Sequence, residues 1–493
     1  MLAKLEKSFS FWFLIGISFL FFLLRLPSLF EPEWYGDEGV YQVLGMGINA
    51  GRLLYRDIFD NKPPLLYLLY SFVNSNLFGI RLLSLIFGLV AVWAFYVLAK
   101  RVLSSLKPVY LATAVFAVLF GLPLIEGNIA NAENFMLLPN IIAAILILVS
   151  IKEKSAKRRL PLIALSGLIL GISFLLKVVA VFDFAAFFVF LIFLDLPEKI
   201  KDTLKKHYIQ NELIKLGTYT LFFAVPILLT TIFFTVKGAL SYFLRAVLFN
   251  NVGYVGYGNT FIIPQGLLLL KLSLLLSFLL FFFWKRKTFD KNFIFVSVWL
   301  AFSMFNAFFS QRPYTHYVLN LLPSFCLIIG LFALNKRFSK LAGIFTFATF
   351  IIVVLNFTFY TKILSYYQNF FSFLTTNKTV TAYQSFFDRS TPLNYEIADY
   401  IISHGNSDKS TFLWGNNPQV YFLLHELPPG RYTVAYHITG YKDGLSNTLD
   451  GLKREKPQFI VTMPNAPSYP FSLNSYYLKM NIGGVSIYAK SFK

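Results

Sequence analysis

Eleven long apolar stretches dominate this sequence, near residues 8–30, 80–99, 108–126, 134–151, 160–176, 178–196, 216–236, 262–284, 292–310, 317–334 and 341–360. A helix needs roughly 20 mostly apolar residues to cross a bilayer. Lipid offers no water to backbone amides and carbonyls, so each crossing segment must pair its own, as a helix does. The expected fold is a polytopic α-helical membrane protein with about 11 transmembrane helices. Only 14% of the residues are charged and 56% are hydrophobic, where soluble domains carry roughly 25% charged residues. The 58 phenylalanines suit lipid-facing and helix-packing surfaces. The N-terminal MLAKLEKS is mildly basic and precedes an apolar run from Phe9 to Leu24. Its exit, LRLPSLF, offers no small-residue cleavage site, so the run reads as an uncleaved first membrane helix.

The net charge of +20 does not point to nucleic acid, because the basic residues sit in short segments between apolar runs. Lys4 and Lys7 precede the first run; Lys100, Arg101 and Lys107 follow the second; Lys152, Lys154, Lys157, Arg158 and Arg159 follow the fourth. Lys199, Lys201, Lys205, Lys206 and Lys215 follow the sixth, Lys285, Arg286, Lys287 and Lys291 the eighth, and Lys336, Arg337 and Lys340 the tenth. With eleven crossings all of these fall on one side, which the positive-inside rule makes cytoplasmic. The N-terminus is then cytoplasmic and the C-terminal tail outside; the expected host is the plasma membrane. A single helix over 160–196 is the alternative at Lys177. It would invert the charge pattern downstream, so two helices meeting at Lys177 are expected. The one cysteine, Cys326, permits neither an intrachain disulfide nor a cysteine-based metal site.

Two domains are expected: a membrane domain over 1–360, with its first outer loop at 31–80, and a small extracytoplasmic α/β domain over 361–493. The tail carries strand-like runs TFLWG, RYTVAYHI, QFIVTM and VSIYAK, and a helix-like YEIADYIISH. At about 130 residues it has an ordinary domain size. The first outer loop holds Glu31, Glu33, Asp37, Glu38, Asp57 and Asp60 against Arg52, Arg56 and Lys62. From Glu38 to Ala50, Val40, Val43, Leu44, Gly47 and Ile48 share one helical face, as in a helix lying in the membrane interface. Gly51 ends that helix, and Pro63 and Pro64 begin another over LLYLLYSF.

Carboxylates and a lysine gathered beside a membrane suit chemistry on a substrate that is part lipid and part water-soluble. Asp37 is either the cap of the following helix or a base for an incoming hydroxyl, with Glu38 beside it. Lys62 is either a solvated loop lysine or a cation held for a lipid phosphate by the stiff Pro63–Pro64 backbone. Glu133 is a surface acid or a second site acid. Lys177 and Asp183 are ionisable groups near apolar cores, which are costly and usually have a role; Lys271 snorkels, forms a buried pair or contacts substrate. Arg312 and His316, with Tyr314 and Tyr317, form an interfacial belt or line an outer cavity that the loop 244–259 could cover. Trp414 either packs its domain or grips a glycan. The sequence has no P-loop, no HExxH and no paired-cysteine site.

Taken together, GDEGVY, GRLLYRDIFDNKPPLLY, ANAENF, GLILGISFLLK and RPYTHYVLNLLP resemble the GT-C class of membrane glycosyltransferases. The branch is that of the protein O-mannosyltransferases and lipid A aminoarabinose transferases, and the resemblance spans roughly residues 8 to 360. It implies transfer of a sugar from a polyprenyl-phosphate donor, on the outer face, to a lipid, glycan or protein acceptor. Asp37 matches the family's catalytic acid, Tyr41 a tyrosine of the same motif, Lys62 the lysine that holds the carrier phosphate and Glu133 a second acid. Lys177 and His316 fall where relatives place polar cavity groups, and Arg312 and Glu38 join the expected site. Asn61 departs from the aminoarabinose enzymes, which carry an acid before the Lys-Pro-Pro. A sugar phosphate leaves as a weakly basic anion and needs a cation more than an acid, so a single displacement with inversion is expected. A divalent cation could assist, though the ligand set is incomplete and no metal ligand is assigned. The bilayer is a partner and nucleic acid is not. Rival readings are a transporter or flippase of lipid-linked sugars, which would show internal repeats, and a polymerase or ligase of surface polysaccharide.

Overall fold

The computed structural model describes residues 2–196, 206–251, 266–309, 314–334, 339–405 and 410–491. The chain divides into two compact units. The first comprises Met1–Leu26, Leu83–Phe233 and Phe249–Ile363, the second Pro27–Leu82, Phe234–Leu248 and Leu364–Lys493.

A helix occupies each of the eleven apolar stretches: Leu2–Arg25, Leu77–Val102, Leu106–Gly121, Ala132–Ser150, Ala156–Phe174, Val181–Asp195, Lys206–Val236, Gly266–Lys285, Lys291–Phe309, Leu322–Leu334 and Ser339–Asn356. Among the described residues, eight of the apolar segments are long and apolar enough to cross a membrane by length and composition. The Leu106–Gly121 helix is short, at 16 residues, and the Ala156–Phe174 helix opens on Lys157, Arg158 and Arg159. Apolar side chains such as Leu229, Leu274 and Trp284 face outward, the arrangement of an integral membrane protein.

Inside the first unit, aromatic rings fill the spaces between helices. Phe95 stacks on Phe116 at 4.4 Å and Phe184 on Phe223 at 4.2 Å. Gly167 and Gly171, one helical turn apart in GLILG, bring Ala156–Phe174 against Lys206–Val236. A Cβ at either position would sit 2.4 Å from the Tyr219 carbonyl oxygen or 2.3 Å from that of Phe223. Small residues at this spacing let helix backbones touch where lipid gives no hydrophobic drive. The stretch 160–196 is broken at Lys177, which is extended (φ −157°) between a helix ending at Phe174 and a 3-10 turn over Val178–Ala180.

The second unit contains a four-stranded sheet in the order β1-β2-β4-β3. β1 (Thr411–Trp414) runs parallel to β2 (Phe459–Thr462); β4 (Val485–Lys490) pairs antiparallel with both β2 and β3 (Tyr476–Ile482). The hairpin from β3 to β4 turns on Gly483 and Gly484, both at positive φ, which glycine adopts without steric cost. Three of the four strand-like runs therefore form strands, and YEIADYIISH lies in the helix Thr391–His404. RYTVAYHI does not: its end forms a short helix, Ala435–Gly440. Its backbone is taken by other partners, since the Arg431 carbonyl accepts from the Phe59 amide and the Ala435 amide donates to Gly415.

Segments from both ends of the sequence build this unit. The first-loop helix Gly36–Asn49 packs on the helix Pro64–Phe72 and on Gln419–Leu424. A Cβ on Gly39 would sit 3.0 Å from Gln419, and one on Gly45 would sit 2.4 Å from Ser75 Oγ. The apolar face read as an interfacial one is covered by protein instead: Val40, Val43 and Leu44 are all buried.

Candidate active site

Asp37 stands in the first turn of the helix Gly36–Asn49, and Tyr35 holds the cap position, without a side-chain cap bond. Asp37 is thus not the cap. One turn on, the Tyr41 hydroxyl donates to Asp37 Oδ2 at 2.9 Å. Burial, and then the Asp37 charge, push the Tyr41 phenol well above its usual value, so it stays a proton donor. Lys62 Nζ lies 3.6 Å from Asp37 Oδ2, 3.7 Å from Asp60 Oδ2 and 4.8 Å from the centre of the Tyr41 ring. Asp37 keeps 40% of its side chain exposed, against 18% for Lys62 and 5% for Asp60.

The DNKPP turn is fixed by its own backbone bonds. The Lys62 amide donates to the Tyr67 hydroxyl oxygen, whose proton goes to Asp60 Oδ2 at 2.8 Å, and the Tyr55 hydroxyl donates to the Lys62 carbonyl. Pro63 and Pro64 then start the Pro64–Phe72 helix, as their locked φ favours. The lysine is therefore aimed from the amino end of a helix, where the dipole favours an anion. Its acidic neighbour in sequence is Asp60 rather than position 61, which is Asn61.

Glu38 is engaged elsewhere. Arg81, fully buried, reaches Glu38 Oε2 at 2.5 Å, Glu31 Oε2 at 2.9 Å and the Ser28 carbonyl at 2.8 Å. Trp34 and Tyr366 add hydrogen bonds to Glu31. Next to this cluster, Glu33 accepts from Gln42, and burial pushes its carboxyl up to about 7.

A second polar cluster belongs to the first unit. Glu133 is in the first turn of Ala132–Ser150 and forms a salt bridge with Lys177. The Lys177 ammonium also lies 4.3 Å from the centre of the Tyr317 ring. His316 Nδ1 is 2.9 Å from Glu126 Oε2, and its Nε2 is 3.9 Å from Glu133 Oε1. Deeper, Asp183 accepts from Trp299 at 2.7 Å and Asn140 at 3.0 Å, a buried acid satisfied by neutral donors. Lys271 Nζ donates to the Phe308 carbonyl. Arg312 and residues 252–259 lie outside the described residues.

Sequence reasoning assigned no role to three groups near Lys62. Asp60 was visible only as one acid among six. Tyr67 read as part of an apolar run. His437 lies far along the chain, in the segment expected to be a strand; its Nε2 is 3.9 Å from Asp60 Oδ1. Trp414 packs: it is buried, and its indole N–H donates to the Pro467 carbonyl at 2.6 Å. Among the described residues no three His, Cys, Asp or Glu side chains come together as a metal site.

Residues 61–214 match the family described as dolichyl-phosphate-mannose-protein mannosyltransferase. No curated protein matches the chain. In structure, the chain is similar to ArnT from Cupriavidus metallidurans bound to undecaprenyl phosphate, with a TM-score of 0.55 and 12% identity over 98% of each chain. The apo state of that ArnT gives a TM-score of 0.57 at 12% identity, again over 98% of each chain. The apo oligosaccharyltransferase of Archaeoglobus fulgidus gives 0.51 at 12% identity, over 93% of this chain and 70% of that one. The membrane helices, the added sheet and the matched segment from the Lys-Pro-Pro onward thus agree: the chain resembles the GT-C class of membrane glycosyltransferases, in the branch of the protein mannosyltransferases and ArnT.

Proposed function

We propose that this protein is a glycosyltransferase that moves a sugar from a polyprenyl-phosphate donor to an acceptor at the outer face of the plasma membrane, with inversion at the anomeric carbon. The observation that carries this reading is the Asp37–Tyr41–Lys62 group, a part-exposed carboxylate and an ammonium 3.6 Å apart at a helix start. The similarity to an ArnT bound to undecaprenyl phosphate supports a lipid phosphate as the group met by Lys62. The basic loops support a cytoplasmic N-terminus, and with it an external first loop and C-terminal chain.

Asp37 takes the proton of the acceptor hydroxyl as its oxygen attacks the anomeric carbon. The bond from that carbon to the phosphate oxygen breaks, and the polyprenyl phosphate leaves with the electron pair. Lys62 stabilises the charge that develops there. Tyr41 orients Asp37 through its hydroxyl, and the Arg81 salt bridge leaves Glu38 in a structural part. Within the first unit, Glu133 holds the Lys177 ammonium in place, and these two with His316 make a polar cluster of its own.

Deletion of the gene should lead to accumulation of one polyprenyl-phosphate sugar, identified by mass spectrometry of extracted lipids. The intact protein should clear it, and Asp37→Asn should slow clearance by about 10²–10⁴-fold, the usual worth of a general base. An Asp37→Asn protein that is present at normal level and clears the lipid fully would remove Asp37 from the reaction.

A further inference from the structure

We propose that His437 is a positioning residue of this reaction, holding Asp60 and through it fixing the Lys62 ammonium for the donor phosphate. The proposal rests on Lys62 being the phosphate-binding cation. One carboxylate joins the two groups. Asp60 Oδ1 faces His437 Nε2 at 3.9 Å, and Asp60 Oδ2 takes the Tyr67 hydroxyl and lies 3.7 Å from Lys62 Nζ. Asp60 and His437 are each 3% exposed, so water does little for either.

The imidazole is packed by rings. Tyr436 lies 4.4 Å from it, with Phe59 and Tyr441 each at 5.5 Å. The bond from the Phe59 amide to the Arg431 carbonyl, at 2.9 Å, keeps the segment carrying Asp60 beside the segment carrying His437. Among the described residues His437 Nδ1 is buried without a hydrogen-bond partner. A phenyl ring would fill this aromatic pocket without an orphaned nitrogen, which normally destabilises a fold. The histidine is explained by what its other nitrogen faces. Burial pushes the imidazole down to about 4, so it is neutral at pH 7 and its tautomer with a proton on Nε2 presents a donor to Asp60. At 3.9 Å this is an electrostatic contact, about 1 Å longer than a hydrogen bond. When a phosphate draws on the Lys62 ammonium, the buried Asp60 loses part of its countercharge. A small turn of Asp60 then closes the bond to His437, so the carboxylate stays satisfied while Lys62 remains held beside it for the phosphate.

The test uses the full chain in detergent, with farnesyl phosphate as probe and binding measured by calorimetry. His437→Phe should weaken binding on the order of tenfold, the worth of a hydrogen bond to a charged group, with a melting temperature no lower than that of wild type. His437→Gln, which restores an N–H donor, should recover most of that loss. Asp60→Asn should weaken binding to a similar extent. Binding by His437→Phe equal to wild type, while Lys62→Ala has lost it, would overturn the role of His437 and leave the function standing. Binding by Lys62→Ala equal to wild type would overturn the phosphate reading itself. If His437→Phe does not fold, Asp60→Asn decides: unchanged binding sinks the proposal.

Discussion

Buried acids in the first loop divide by what neutralises them. Glu31 and Glu38 share Arg81, whose guanidinium is fully buried. Replacing Arg81 with Met strands two carboxylates, and breaking a buried pair from one side costs about 3–5 kcal/mol; thermal unfolding in detergent should show a correspondingly large loss. Glu33 solves the same problem by holding its proton. Its folded value is about 7 against 4.5 when unfolded, so its contribution is fully present below pH 4.5 and is lost as pH rises through 7. Glu33→Gln should therefore match wild type at pH 4 and exceed it by about 3 kcal/mol at pH 8. Melting temperatures across that range check the sign. None of this pairing was legible in the sequence. Asp37, Tyr41 and Lys62 stood out because motif and spacing travel with them, whereas Arg81 hides at the start of an apolar helix and His437 is far along the chain from Asp60.

Among the elements, the helices were legible because apolar runs of membrane length admit few other folds. The break at Lys177 could be read for a second reason, that without it the basic loops downstream would fall on the opposite side from those upstream. Strands were harder. VSIYAK alternates and forms β4, but Tyr476–Ile482 is a largely exposed edge strand with little apolar pattern, and RYTVAYHI gave its backbone to the first loop. The first-loop helix looked amphipathic enough for an interface, yet its glycines mark close protein contact. Gly45 lies where a Cβ would meet Ser75 Oγ at 2.4 Å and the Ser71 amide nitrogen at 2.9 Å. Gly45→Ala forces the helices Gly36–Asn49 and Pro64–Phe72 apart and should cost about 1–3 kcal/mol. Reduced transfer with a normal membrane level of protein, plus a lowered melting temperature, is the expected pair of results.

For the whole molecule, the division into units is the least legible property. Composition places a boundary near residue 360, whereas the second compact unit takes Pro27–Leu82 and Phe234–Leu248 together with Leu364–Lys493. The first loop, however, belongs with the C-terminal chain, because its polar groups are completed there: Tyr366 on Glu31, Tyr395 on the Glu33 amide, Arg431 on the Phe59 amide and His437 near Asp60. No local pattern announces pairings of that separation. A chain ended at Ile363 should lose transfer activity altogether and should expose the first loop to protease, which limited digestion of isolated membranes would reveal.

The bond between Phe59 and Arg431 also sets a timetable for biosynthesis. A ribosome adding 5–20 residues each second needs roughly 20–75 s to travel from one to the other. Through that interval the lysine turn has been made but the strand of chain that closes against it has not, so on the proposed function a half-made copy should not yet bind carrier lipid, which nascent chains halted before Arg431 would test.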